Sequence, residues 1–168
     1  MSNTNEGTGT TPVLTLRVGS DFGEIPYILP LVRQLHRESH FKEIPFRYES
    51  YENMCRNVIE EPGKFGGFYV EADGEPAGFV YLFAQKYMGS DLQVATIHTF
   101  YIRPDLRGTP TGAAVWDRLK TAIRLWCIPR QCTSMMFHVQ SGVDLDAIDA
   151  FMRMQGATHL GGNYIMRI

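Results

Sequence analysis

The sequence has no block of Lys or Arg, no long apolar run and no paired-cysteine motif. The first absence, with a net charge of −2, leaves nucleic-acid binding with little support. No apolar stretch approaches the roughly 18 residues that suggest a membrane span. Three cysteines, Cys55, Cys127 and Cys132, form an odd set without C-x-x-C spacing. They read as reduced, buried thiols in a cytoplasmic protein, not as a disulfide framework or a catalytic nucleophile. The opening "MSNTNEGTGTTP" lacks the apolar core of a signal peptide and reads as a disordered tail over residues 1–12. Internal repeats and interior linkers are also absent, so residues 13–168 read as one domain.

What is present is an ordinary globular mixture, 44% hydrophobic and 20% charged. "VLTLRV" (13–18) alternates like a strand. Ile28, Leu31, Val32 and Leu35 recur at helical spacing, as do Tyr51, Met54, Cys55, Val58 and Ile59. "FGGFYVEA" and "EPAGFVYLFAQKY" flank Asp73-Gly74 and predict a hairpin. "VATIHTFYI" (94–102) predicts a strand, and Val115, Trp116, Leu119, Ala122, Ile123 and Trp126 form the stripe of a helix that Pro129 closes. A strand over "SMMFHV", a short helix ending at Gly156 and a closing hairpin in "ATHLGGNYIMRI" complete the reading. The order β-α-α-β-β-β-α-β-α-β-β belongs to a mixed α/β sheet.

"RGTPTGA" can be read in two ways. Thr109 suits an N-cap and Pro110 the first helical position, so a capped helix alone explains the pair. Alternatively, the outward N–H groups of Thr111 and Gly112, two glycines that admit a close ligand, the helix dipole and Arg107 make an anion cradle. Pro110 removes one donor from it.

With the element order, the stretch "ATIHTFYIRPDLRGTPTGAAVWDRL" resembles the GNAT superfamily of acyl-CoA-dependent N-acyltransferases, and "DAFMRMQGATHLGGNYIMRI" is similar to that family's closing part. Arg107 and Gly112 match the ends of its Arg/Gln-x-x-Gly-x-Gly/Ala motif, and Pro110 stands where a glycine is usual. Some compact bacterial and phage-encoded members have a similarly reduced end. The resemblance implies a single mixed, mostly antiparallel sheet with splayed fourth and fifth strands, flanked by about four helices. It implies acetyl-CoA as cosubstrate, with no metal. Phe100, Tyr101 and Ile102 would border pantetheine, with backbone groups of Phe100 and Ile102 pairing it and Phe100 N–H as oxyanion donor. Arg107, Gly108, Thr109, Pro110, Thr111, Gly112 and Ala113 would hold the pyrophosphate.

His98 stands where many members carry a glutamate base, and alternation puts it on the strand face of Thr96 and Phe100. Read alone, it is either an interior histidine or a general base, since imidazole titrates near pH ~6.5. The family's acidic tyrosine is replaced by Met152, preceded by Phe151, and Asp144 and Asp146 replace a usual asparagine. Ser141 or Tyr164 would then supply the acid, or solvent would protonate the thiolate. "HRESH" lacks the H-E-x-x-H order and a third ligand, Trp116 and Trp126 read as core, and "PFRYESY" reads as packing near the acceptor side. The expected activity is acetyl transfer to a primary amine of a small molecule or protein. The alternative is a catalytically reduced module that binds CoA or a protein partner. No membrane or nucleic-acid partner is expected, and homodimerisation is left open.

Overall fold

The computed structural model describes residues 11–139, 144–161 and 166. Among these residues five strands form one sheet in chain order: β1 (Leu14–Val18), β2 (Phe65–Ala72), β3 (Glu75–Lys86), β4 (Gln93–Ile102) and β5 (Cys132–Phe137). The β1–β2, β2–β3 and β3–β4 pairs are antiparallel, and β4–β5 is parallel. Four helices flank it: α1 (Ile25–Glu38), α2 (Tyr48–Glu60), α3 (Pro110–Cys127) and α4 (Leu145–Met154). This is the mixed, mostly antiparallel architecture that the resemblance implied. Asp73 and Gly74 both take positive φ (52° and 81°), the geometry a tight hairpin needs between β2 and β3. Of the expected closing hairpin, residues 157–161 carry no strand, and the rest, 162–165 and 167–168, lies outside the described residues.

The helical stripes bury the two sheet faces. On one face Val70, Val80, Leu82, Ala95 and Ile97 meet Val115, Leu119 and Ile123 of α3. On the other, Tyr69, Phe79 and Tyr101 meet Leu31 of α1, with Ile28, Val32 and Leu35 against them. Each fully buried aliphatic side chain of this kind contributes about 1.5–3 kcal/mol. Helix α2 shares the α1 side, and the buried Tyr51 hydroxyl donates to the Ile25 carbonyl at 2.6 Å, tying the two helices.

Two features of β4 shape everything near its middle. Tyr81 pairs with Thr99 and Leu82 with Ile97, so His98 is an extra, bulged residue. The bulge resets the side-chain phase: Ile97 and Phe100 both join the α3 face, while Thr99 and Tyr101 are paired with Tyr81 and Phe79. His98 packs against Tyr81 and Phe83, with ring centroids 6.0 and 6.4 Å away, on the α1–α2 face. His98 and Phe100 therefore do not share a face, contrary to simple alternation. The second feature is that β5 pairs with β4 only as far as Ile97 and Phe137. A last bond runs from His138 N–H to Ile97 O (3.1 Å), and beyond it the two strands part.

Gly78 shows how tightly β3 lies beneath α3. A Cβ there would fall 2.9 Å from the Tyr101 carbonyl and 2.9 Å from Val115 Cγ1. Gly78→Ala is predicted to destabilise the fold by about 1–3 kcal/mol. Urea denaturation should show a lower midpoint with an unchanged slope; an unchanged midpoint would contradict this packing.

Candidate active site

The parting of β4 and β5 leaves one edge of β4 open. Arg103 N–H donates to Ala77 O (2.9 Å), which fixes the ladder phase: residues 101 and 103 point their backbone groups at β3. The N–H and C=O of Phe100 and Ile102 consequently face the gap, and among the described residues no strand pairs with them. Ile102 O accepts from Arg107 Nε at 2.9 Å. Tyr101 is placed differently from the expectation. Its backbone faces β3, its ring is buried against α1, and its hydroxyl donates to Glu38 at 2.7 Å. Burial first, then that carboxylate, hold its phenol above the ordinary tyrosine pKa.

The gap ends on the turn before α3. Gly108 has φ +73°, and nothing lies within 4 Å of where its Cβ would be. Gly112 has the opposite setting. Its Cβ would stand 2.0 Å from the Leu106 carbonyl oxygen, so it is a packing glycine and not an approach for phosphate. The Gly112 N–H is also used, donating to the Thr109 hydroxyl at 3.1 Å, while that hydroxyl donates to Leu106 O at 2.7 Å. Ala113 N–H bonds Thr109 O. Both readings of the turn thus describe parts of it: Thr109 and Pro110 are a true cap, and Gly108 and Thr111 N–H remain as outward donors with no acceptor among the described residues. Arg107 is anchored, its guanidinium reaching Glu38 at 2.8 Å and lying 4.9 Å from the Tyr101 ring centre.

His98 sits where the gap opens to the α1–α2 side. It is half-buried, and burial first, then the charge of His138, hold its pKa below the ordinary histidine value. His138 escaped the sequence reading. It follows Phe137, which packs on Phe100 and Trp116, so alternation turns His138 to the face that His98 occupies. Only the parallel β4–β5 pairing brings the two together.

A continuous cavity of about 840 Å³ joins these parts. It runs from Gly108, Thr109 and Gly112 past Phe100, His98 and His138 to Ile28, Val32, Phe46 and Met54. At α4, Phe151 lines it, 5.3 Å from Trp116 between ring centres, and Met152 is buried away, so neither can donate a proton. Ser141 and Tyr164 lie outside the described residues. His36 Nε2 is engaged with the Ile44 carbonyl at 2.7 Å, and Trp116 is core, as read from sequence. Among the described residues no group of three His, Cys, Asp or Glu is placed to hold a metal ion, and no helix is long and apolar enough to cross a membrane.

A model of the Acetyltransferase (GNAT) family matches residues 29–157. The chain belongs to the GNAT acetyltransferase family. No curated protein matches its sequence. Among solved GNAT-fold structures, it is similar to AAC(6')-Iy in complex with the bisubstrate analog CoA-S-monomethyl-acetylneamine, with a TM-score of 0.67, 14% identity, and coverage of 93% of this chain and 98% of that one. A possible acetyltransferase from Clostridium difficile 630 gives 0.66 at 10% identity, covering 93% and 98%. A ribosomal-protein-alanine N-acetyltransferase from Brucella melitensis biovar Abortus 2308 gives 0.63 at 13%, covering 93% and 99%. At these identities the likeness is one of fold.

The two turn glycines make a graded test within this GNAT chain. Gly108→Ala should cost about 1–2 kcal/mol through its left-handed backbone. Gly112→Ala should cost more, because Leu106 backbone must move to admit the methyl group. Thermal denaturation in which Gly108→Ala is the more damaging would overturn this account of the loop.

Proposed function

We propose that the protein transfers an acetyl group from acetyl-CoA to a primary amine, with His98 as the general base. One observation carries the reading: a single cavity runs from Gly108 in the turn before α3, along the open edge of β4, to the half-buried His98. The family supplies acyltransferase chemistry, and AAC(6')-Iy has been captured with CoA as well as with a CoA-based analog. The residues present fit that cosubstrate. Gly108 and Thr111 offer N–H groups to the pyrophosphate at a helix start, and Phe100 and Ile102 offer an unpaired strand edge to the pantetheine arm.

His98, kept neutral at pH 7 by its surroundings, accepts a proton from the attacking ammonium. The amine nitrogen then forms a bond to the thioester carbon as the C–S bond breaks. Phe100 N–H, aimed into the gap, stabilises the oxygen that becomes negative in between. The thiolate leaves without help from α4, since Phe151 and Met152 carry no acidic proton; a thiol with pKa of about 8.5 can be protonated by solvent. The lack of an acidic side chain at these two α4 positions is also what favours a second reading, a CoA-binding module without turnover. The three free cysteines, Cys55, Cys127 and Cys132, support a cytoplasmic location.

An acceptor screen with acetyl-CoA, reading released thiol, separates the two. With a responding amine, His98→Ala should lower kcat by about 10²–10⁴ and leave acetyl-CoA affinity nearly unchanged. Wild-type turnover in His98→Ala would make His98 a structural residue. The groups that face His98 among the described residues also make a pH prediction: Tyr81 and Phe83 from β3, and His138 just after β5. With a weakly basic hydrazine as acceptor, kcat/KM should rise through an inflection below the ordinary histidine value and level off. His138→Ala removes a like charge and should move that inflection upward; an unmoved inflection would break the link between the two rings.

Pro110→Ala supplies the donor that the turn lacks. It should tighten CoA binding by up to about tenfold, the effect of one hydrogen bond to a charged group. Unchanged affinity by calorimetry would mean that the pyrophosphate does not meet this helix start.

A further inference from the structure

We propose that the acceptor is a monoamine carried on an apolar body large enough to fill a hydrophobic pocket, and that the site discriminates against polycations. This rests on the acyl-transfer reading and names the substrate class of that site. Past His98, the cavity continues between α1, α2 and the sheet, walled by Ile28, Val32, Leu35, Phe46, Met54 and Tyr81. Several polar groups on this side are engaged within the protein. The Tyr51 hydroxyl donates to Ile25 O, the Ser39 hydroxyl to His36 O, and His36 meets Ile44 O. Cys55 shares a hydrogen bond with Tyr51, and burial pushes its thiol pKa up, so it contributes no anion.

Carboxylates decide the charge preference, and four border the cavity: Asp21, Glu24, Glu38 and Asp144. Glu24 accepts from the Tyr69 hydroxyl (3.1 Å) and from Ser20 N–H (3.0 Å). Asp21 caps Gly23 N–H at 2.8 Å, and Glu38 is held by Arg107 and Tyr101. Asp144 is exposed on the far wall, at the start of α4. Among the described residues these four stand at the two ends of α1 and at the start of α4, away from the stretch walled by Ile28, Val32, Phe46 and Met54. A second or third ammonium buried against that stretch would be stripped of water without an adjacent counter-charge. The one reacting amine avoids this, because it reaches His98 and gives up its proton. An apolar body, in contrast, gains from every wall it covers. The aromatic stretch around Phe46 and Tyr51, which reads as packing from sequence alone, is part of that wall.

The test compares 2-phenylethylamine and tryptamine with spermidine and kanamycin as acceptors at saturating acetyl-CoA. The aromatic monoamines should show kcat/KM at least about tenfold higher, the scale of a few buried methylenes. Met54→Trp, which fills the pocket from α2, should raise their KM about tenfold and leave the KM for acetyl-CoA unchanged, while Met54→Ala checks that the position tolerates change. Equal or better use of spermidine or kanamycin overturns the proposal and leaves acyl transfer standing. If no amine is acetylated, binding of 2-phenylethylamine is read by tyrosine and tryptophan fluorescence. Binding that Met54→Trp abolishes upholds the pocket and sinks acyl transfer instead. Absence of both turnover and binding overturns the proposal.

Discussion

Half-way along, β4 loses its neighbour, and the backbone polar groups on its open edge set the terms for the rest of the molecule. Backbone N–H and C=O groups removed from water require partners. β5 supplies them as far as Ile97, ending with the bond from His138. Beyond it, Phe100 and Ile102 present theirs to a cavity. Arg107 satisfies the Ile102 carbonyl, which anchors the turn before α3 to the strand that feeds it. A gap of this kind asks for an extended, amide-bearing ligand, and the pantetheine arm of acetyl-CoA is such a molecule.

The bulge at His98 turns this edge into a passage between two sheet faces. Without it, His98 would share Phe100's face. With it, Phe100 packs towards Trp116 and Phe137 while His98 faces Tyr81 and Phe83. The open backbone, the imidazole and the α1–α2 pocket therefore lie along one path. Glu38 at the end of α1 contacts both Tyr101 and Arg107, so α1 and the turn before α3 are held by one carboxylate.

Helical periodicity made α3 legible: Val115, Leu119 and Ile123 are wholly buried where the stripe put them. Thr109-Pro110 was equally plain, because N-capping is local chemistry. Longer-range features were not. A bulge inserts one residue without disturbing the apparent alternation of "VATIHTFYI", since the register shift shows only against β3. His138 follows its strand and meets His98 through a parallel pairing across a whole helix. Gly112 matched the family motif, yet its local reason is the Leu106 carbonyl, a backbone contact that no spacing rule reveals.

The central claim is that the open edge of β4 and the donors before α3 form one continuous binding surface. Amide hydrogen exchange with and without acetyl-CoA addresses it residue by residue. Slowed exchange at Phe100, Ile102, Gly108 and Thr111, with Tyr101 and Arg103 unchanged because β3 already holds them, is the predicted pattern. Saturating acetyl-CoA that leaves those four amides exchanging at their free rates, or that protects a different face, would contradict it.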